Sequence, residues 1–317
     1  MTQYLDFEKP IKLIEEQIET LSGDNASSQL NKLKQNAEKL LAEIYARLDP
    51  WQKTQVARHA ERPHFKDYVA ALVTDFIELS GDRKYAEDAA ILGGMGRFMG
   101  RPCVILGHEK GRSTQERIKH NFGMTRPEGY RKAIRLMDLA ERFDLPVVTL
   151  VDTAGAYPGL GAEERGGAEA IARSTQRCLG LGVPIVSVIV GEGGSGGAIA
   201  IASANTVLML EHAVYSVISP ESGASILFRD AGRAKDVALA MKITAQDCLG
   251  FKVIDAIVKE PVGGAHRAPE QAVAAVGAAV AKALDALAGL DADALRAQRR
   301  ARFLAIGRME ETASPAR

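Results

Sequence analysis

Between residues 191 and 197 the chain reads Gly-Glu-Gly-Gly-Ser-Gly-Gly, five glycines in seven positions. A β-branched, uncharged run at 184–190 precedes them and an apolar run at 198–202 follows. The first reads as a buried strand and the second as a helix. The glycines between them permit backbone geometry that a Cβ would forbid. A strand, a glycine turn and a helix together leave backbone N–H groups unpaired at a helix N-terminus, where the dipole is also positive. Such a turn binds anions or stabilises an oxyanion.

Three chemistries fit it. Gly191-x-Gly193-x-x-Gly196 satisfies a dinucleotide fingerprint, with Glu211 about 20 residues on as a ribose-binding acid. Against this, the following helix has room for only about two turns, and the unit sits mid-chain behind another strand–helix unit. Gly193-Gly-Ser195-Gly-Gly197 satisfies a nucleophile elbow, and Asp255 then His266 follow in hydrolase order. His266, however, falls in the polar stretch Gly263-Gly-Ala-His-Arg267 and reads as a surface loop residue. The third chemistry is an oxyanion site without a nucleophile: the turn offers two backbone N–H groups, and Ser195 is merely small. The residues favour this third reading.

The elements that must position the turn follow from periodicity. Residues 10–49 read as two amphipathic helices broken at 22–28 and stopped by Asp49-Pro50, with a third helix at 65–79. Runs at 91–98 and 103–107 flank Met99-Gly-Arg-Pro102 as a hairpin. A basic stretch then leads into a helix at 127–143. Next come a strand at 146–151, a glycine loop at 152–161, a helix at 163–179, and the strand and turn described above. Strands at 206–210 and 214–218 follow. Ser219-Pro220-Glu221 opens a helix to about Phe228, Thr244 caps another to Gly250, and 251–258 returns to sheet. Two alanine-rich helices, 269–290 and 291–306, close the chain. Alternating strands and helices imply an α/β fold with a parallel sheet, whose site lies at the carboxyl ends of the strands.

Composition narrows the function. The 317 residues carry 40 Lys+Arg against 40 Asp+Glu, which argues against bulk nucleic-acid or membrane-surface binding. Cys103, Cys178 and Cys248 are widely spaced and suit a reducing compartment. The six histidines show no metal-binding spacing, so no metal is expected in this chain. The N-terminus shows no signal-peptide pattern. Residues 183–210 carry a single charge, Glu192, but a buried parallel sheet explains them better than a membrane span. A cytoplasmic location is expected.

Several motifs occur in order: Gly107-His-Glu-Lys-Gly-Arg112, Asn121-Phe-Gly-Met124, Pro127-Glu-Gly-Tyr-Arg-Lys-Ala133, Asp152-Thr-Ala-Gly-Ala-Tyr-Pro-Gly159, Gly161-Ala-Glu-Glu-Arg-Gly166, Gly191 to Ala198, Tyr215-Ser-Val-Ile-Ser-Pro-Glu221 and Gly263 to Arg267. As a set they resemble the alpha subunits of the carboxyltransferase of bacterial acetyl-CoA carboxylase, over nearly the whole chain. Ala245, Leu249-Gly250 and Asp255-Ala-Ile-Val258 also resemble the closing signature of the crotonase-like superfamily.

The resemblance implies a crotonase-like ββα spiral core, with an N-terminal helical hairpin and C-terminal helices. It divides the chain into 1–80 for docking and packing, 81–262 as the carboxyltransferase core, and 263–317 as a helical tail. It implies transfer of a carboxyl group from carboxybiotin, on a biotin carboxyl carrier protein, to acetyl-CoA, giving malonyl-CoA for fatty-acid synthesis. The partners it implies are a zinc-bearing beta subunit in an α2β2 assembly and, in the ATP-dependent complex, a biotin carboxylase. By position, Gly196 and Gly197 are the backbone donors and Gly193 and Gly194 shape the turn. Gly155 and Tyr157 of the other glycine loop are candidates for the substrate pocket. Arg126 and Arg131, with Arg112 and Lys132, are candidates for CoA phosphates, against a solvated or intersubunit face. Glu163, Glu164 and Glu221 read as helix-capping. Two positions depart from the family pattern: Ala154 stands where proline is common, and Ser222-Gly223 where Gly-Cys is common.

Overall fold

The computed structural model describes residues 3–21 and 27–307. The expected break at 22–28 falls, from 22 to 26, outside the described residues. The hairpin forms as its spacing requires: α1 is Lys9–Thr20 and α2 is Ser27–Tyr45. Asp49 and Pro50 stop α2 but also start α3, Pro50–Ala57. Asp49 accepts from the Gln52 amide at 2.8 Å as N-cap, and Pro50 takes the first helical position, where its missing N–H loses no bond.

The helix expected at 65–79 is shorter. α4 is Phe65–Leu72, and the chain then extends as β1, Val73–Glu78. The β-branched and aromatic residues Val73, Thr74, Phe76 and Ile77 favour a strand, and an antiparallel neighbour is available to pair with it. That neighbour, β2 (Ile91–Phe98), forms the expected hairpin with β3 (Arg101–His108). α5 (Thr114–Lys119), α6 (Pro127–Arg142) and β4 (Val147–Thr153) follow. The helix expected at 163–179 is two pieces, α7 (Leu160–Glu164) and α8 (Gly167–Gly180). Gly166 separates them at φ +72°, a left-handed conformation that ends a right-handed helix.

β5 (Ile185–Gly194) runs directly into α9 (Ser195–Ala202). Then come β6 (Thr206–Leu210), β7 (Val214–Ser216), α10 (Pro220–Phe228), α11 (Ala234–Met241) and α12 (Ala245–Gly250). The strand expected at 251–258 reduces to β8, Ala256–Val258, because Lys252 at φ +59° interrupts the extended run. α13 (Pro269–Leu287) and α14 (Ala292–Ala305) complete the chain.

The sheet order is β1-β2-β3-β4-β5-β6-β8, with β7 pairing with the far end of β5. The first three strands are antiparallel and every later pair is parallel. β4 and β5 are buried along their whole lengths, as strands covered on both faces must be. A Cβ at Gly93 would meet Leu106 and, on α6, Leu136, whereas one at Gly107, the residue after Leu106, would meet Phe65 of α4. Leu106 and Gly107 are consecutive in β3 and so face opposite sides, which places α6 and α4 on the two faces. The nearly uncharged run 183–210 is thus buried strand, turn and helix. Among the described residues no single helix is long and apolar enough to cross a membrane.

Candidate functional site

The turn begins as a bulge. Val151 of β4 pairs with Ile189 of β5, but Thr153 pairs with Gly193. Asp152 alone therefore faces Val190, Gly191 and Glu192. Its Oδ1 accepts the Glu192 amide at 2.9 Å, and a Cβ at Gly191 would run into its carboxylate. The extra residues re-aim the strand end, as bulges beside functional sites do. β7 then takes over the pairing, with Gly193 opposite Tyr215 and Gly194 opposite Ser216. The Tyr215 ring covers Gly193, where a Cβ would lie 2.7 Å from Cδ2.

Ser195, at φ +48°, swings the chain from β5 into α9. Gly194 is the N-cap and has no side chain to cap with. Gly196 and Gly197 are the second and third helical residues, so their amides have no intrahelical acceptor. The glycine loop after β4 packs against them. Thr153 Oγ1 accepts from the Gly155 amide at 3.1 Å and donates to the Gly155 carbonyl at 2.8 Å. A Cβ at Gly197 would lie 2.8 Å from the Gly155 carbonyl carbon, and one at Gly194 would strike the Ala154 carbonyl. Gly155, Gly193, Gly194, Gly196 and Gly197 are therefore brought together.

The other candidates lie apart. The Tyr157 amide donates to the Thr125 carbonyl at 3.0 Å, and the Tyr157 ring lies against Gly159 of its own turn. The Arg126 guanidinium sits 5.0 Å from the Tyr157 ring centroid, and both line a cleft of about 310 Å³ with Tyr85, Glu128 and Arg165. Arg131 is held by Asp82 at 2.7 Å and by the Arg165 carbonyl at 3.0 Å. Much of the basic stretch is likewise occupied: Lys132 with Glu87, Arg112 with Asp67, and Arg135 with the carbonyls of Leu79, Ser80 and Gly81. Glu221 sits in the first turn of α10 and also pairs with Arg58.

Several functional-site neighbours escaped the sequence reading. Lys110 lies between Asp152 and Glu192, and Arg58 between Glu192 and Glu221. Burial pushes the Glu192 carboxyl upward, but the Lys110 ammonium and the Arg58 guanidinium overcome that and hold it down to about 2. A cavity of about 200 Å³ opens onto Arg58, Lys110, Phe122, Asp152 and Glu192. Arg62 and Glu260 form a second, fully buried pair. Arg62 Nη2 donates to the Val190 carbonyl at 2.8 Å, just before the bulge. One signal was available: Glu192 is the lone charge of 183–210, and a buried charge requires a partner.

The two enzyme alternatives fail on geometry. For a dinucleotide, the glycines should leave room for a pyrophosphate. Instead the space at Gly191 is filled by Asp152 and that at Gly193 by Tyr215, while Glu211 is engaged by Lys259 and the Glu260 amide. For a hydrolase, Asp255 should orient His266. Instead Asp255 accepts from Arg302 and the Val207 amide. His266 is buried rather than on the surface and stacks on His59 at 3.9 Å between ring centroids. What remains is a pair of amide donors on a braced turn. Among the described residues no group of three or more His, Cys, Asp or Glu is placed to hold a metal ion.

Comparison with known proteins shows the family. Residues 4–307 match the family model described as acetyl co-enzyme A carboxylase carboxyltransferase-like. The chain is 63% identical to the acetyl-coenzyme A carboxylase carboxyl transferase subunit alpha of Methylobacterium nodulans, over 97% of this chain and 99% of that one. It is 62% identical to the protein of the same name from Azorhizobium caulinodans, with the same coverage. Among solved structures, the transcarboxylase 12S chain aligns with a TM-score of 0.58 at 18% identity, over 73% of this chain and 44% of that one. The beta subunit of P. aeruginosa geranyl-CoA carboxylase aligns with a TM-score of 0.54 at 16% identity, over 74% of this chain and 45% of that one. At those identities the likeness is one of fold, and the chain spans under half the length of those structures.

Proposed function

This chain belongs to the acetyl-CoA carboxylase carboxyltransferase alpha-subunit family, and from that premise we propose how its glycine turn serves the transfer. It is a transferase subunit with a crotonase-like core. In our reading the amides of Gly196 and Gly197 donate to the ureido oxygen of carboxybiotin presented by a carrier protein. The bond between the biotin nitrogen and the carboxyl carbon breaks, and negative charge builds on that oxygen. Two fixed N–H groups at a helix N-terminus stabilise it, and one such donor is worth about 10²–10³ in kcat. A new carbon–carbon bond forms between the carboxyl carbon and the acetyl-CoA methyl carbon, giving malonyl-CoA. The methyl proton passes to the biotin nitrogen, so no protein base is needed.

Gly193 and Gly194 shape the turn, and Gly155 holds it. Tyr157, Arg126 and Arg131, apart from the turn, remain candidates for substrate contacts. A beta chain completes the site in an α2β2 assembly and supplies the zinc and most acetyl-CoA contacts. Biotin carboxylase charges the carrier, and the complex works in the cytoplasm. Residues 1–80 dock and pack, tied by β1 to the 81–262 core, and 263–317 is the helical tail.

The observation that carries this reading is the pair of amides at the start of α9 with no intrahelical acceptor, braced by the Gly155 loop. The test is reverse transfer from malonyl-CoA to biocytin, with this chain alone and then mixed with its beta chain. Activity only in the mixture supports a shared site. An inert mixture that elutes as one complex would count against it.

A further inference from the structure

Five charged side chains from five segments meet beside the glycine turn, alternating in sign. Lys110, after β3, reaches Asp152 of β4 at 2.7 Å and Glu192 of β5 at 3.0 Å. Arg58, after α3, reaches Glu192 through Nε at 2.7 Å and Glu221 of α10 through its terminal nitrogens. Glu192 is the residue between Gly191 and Gly193, so both cations pull on the turn itself. The side chains of Lys110, Asp152 and Glu192 are only 17%, 7% and 11% exposed. The Lys110 stem is fixed too: a Cβ at Gly123 would lie 2.9 Å from Lys110 Cγ and from the Asp152 carbonyl.

A buried charge network is a poor device for stability, because apolar residues of similar volume often do as well or better. It is a good device for fixing direction. Resting on the donor reading above, we propose that Lys110 and Arg58 are positioning residues. By clamping Glu192 they set the direction in which the Gly196 and Gly197 amides point, and so set the rate of carboxyl transfer. Neither touches the reacting atoms. Burial opposes the Lys110 charge, but the two carboxylates outweigh it and raise its pKa, so the clamp stays ionised near neutral pH.

The test uses the assembled complex with the beta chain. Lys110→Met removes one arm of the clamp, leaving Arg58 on Glu192, and leaves the Asp152 and Glu192 carboxylates facing each other without their shared cation. Lys110→Met/Glu192→Gln removes one charge of each sign and keeps the balance. Each variant is assayed for malonyl-CoA to biocytin transfer, melting temperature, and deuterium uptake of the peptide spanning 191–198. We expect kcat to fall about 10²-fold, the size of one misdirected donor, with KM for malonyl-CoA little changed and uptake raised. The double variant should regain most of the melting temperature but not the rate, and Lys110→Arg should retain part of it.

Recovery of kcat together with stability in the double variant would overturn the proposal, since the network would then be structural only. Loss of kcat with unchanged uptake would also overturn it, because Lys110 would not act through the turn. Raised uptake with normal kcat would overturn the rate claim and the donor reading together, leaving Lys110 only as a brace of the turn.

Discussion

Gly197 lies against Gly155 so closely that a Cβ on Gly197 would come within 2.8 Å of the Gly155 carbonyl carbon and 3.0 Å of the Ala156 nitrogen. Two glycine loops from successive strands thus touch backbone to backbone. This contact fixes the first turn of α9 in the one place where its amides are free. Its neighbour differs: a Cβ at Gly196 would meet only the Ile171 side chain, at 3.4 and 3.6 Å.

The two positions should therefore respond oppositely to alanine. Gly196→Ala should be neutral or stabilising by up to about 1 kcal/mol, since Ala is the better helix former. Gly197→Ala should cost about 1–3 kcal/mol, because backbone must shift to admit the methyl. Urea unfolding of both variants checks this, and the reverse order would contradict the packing described.

Ser195 should be unreactive. It sits at φ +48°, and His266, the histidine a hydrolase would need there, stacks on His59 instead. A fluorophosphonate probe should leave the intact mass unchanged. An adduct mapped to Ser195 would revive the hydrolase reading.

Stability should fall as pH drops from about 6.5. Burial keeps His108 and His266 neutral, lowering them to about 3 and about 2, and neither ring has a hydrogen-bond partner among the described residues. The unfolded chain binds two protons below 6.5 that the folded chain does not. Since unfolding then takes up protons, low pH favours it, by about 3 kcal/mol per pH unit once both are charged in the unfolded chain. Glu192 and Glu260 are buried but held down to about 2 by their cations. Their contribution is full above the usual 4.5 and is lost as pH falls toward 2. Urea midpoints between pH 7.5 and 4 measure the profile, and a flat one would contradict these assignments.

Arg62→Met should cost about 3–5 kcal/mol, because it strands the buried Glu260 carboxylate. Arg62→Met/Glu260→Gln should recover part of that. Equal loss in both variants, read by urea unfolding, would show that the Val190 carbonyl contact outweighs the ion pair.

The strands, the hairpin, the capped α10 and α12 and the glycine turn were legible because local signals and tertiary packing agree there. Ser219 with Pro220, and Thr244 with Asp247, announce their helices in two residues each. The failures have physical causes. Residues 65–79 keep apolar spacing compatible with helix and strand, and only the free edge of β2 decides for β1. α11 has no side-chain cap to announce it. At the site, the glycine turn was readable because glycine density is local. Arg58, Lys110, Arg62 and Glu260 were not, because their partners lie 42 to 198 positions away. Long-range ion pairing leaves no periodic trace.

In the proposed mechanism backbone amides, not a side chain, perform the chemistry of the turn. Gly196→Val and Ser195→Ala, each assembled with the beta chain and assayed for malonyl-CoA to biocytin transfer, separate the two. Gly196→Val should abolish transfer and Ser195→Ala should largely spare it. Loss of transfer in an assembled Ser195→Ala complex, or its survival in Gly196→Val, would contradict that mechanism.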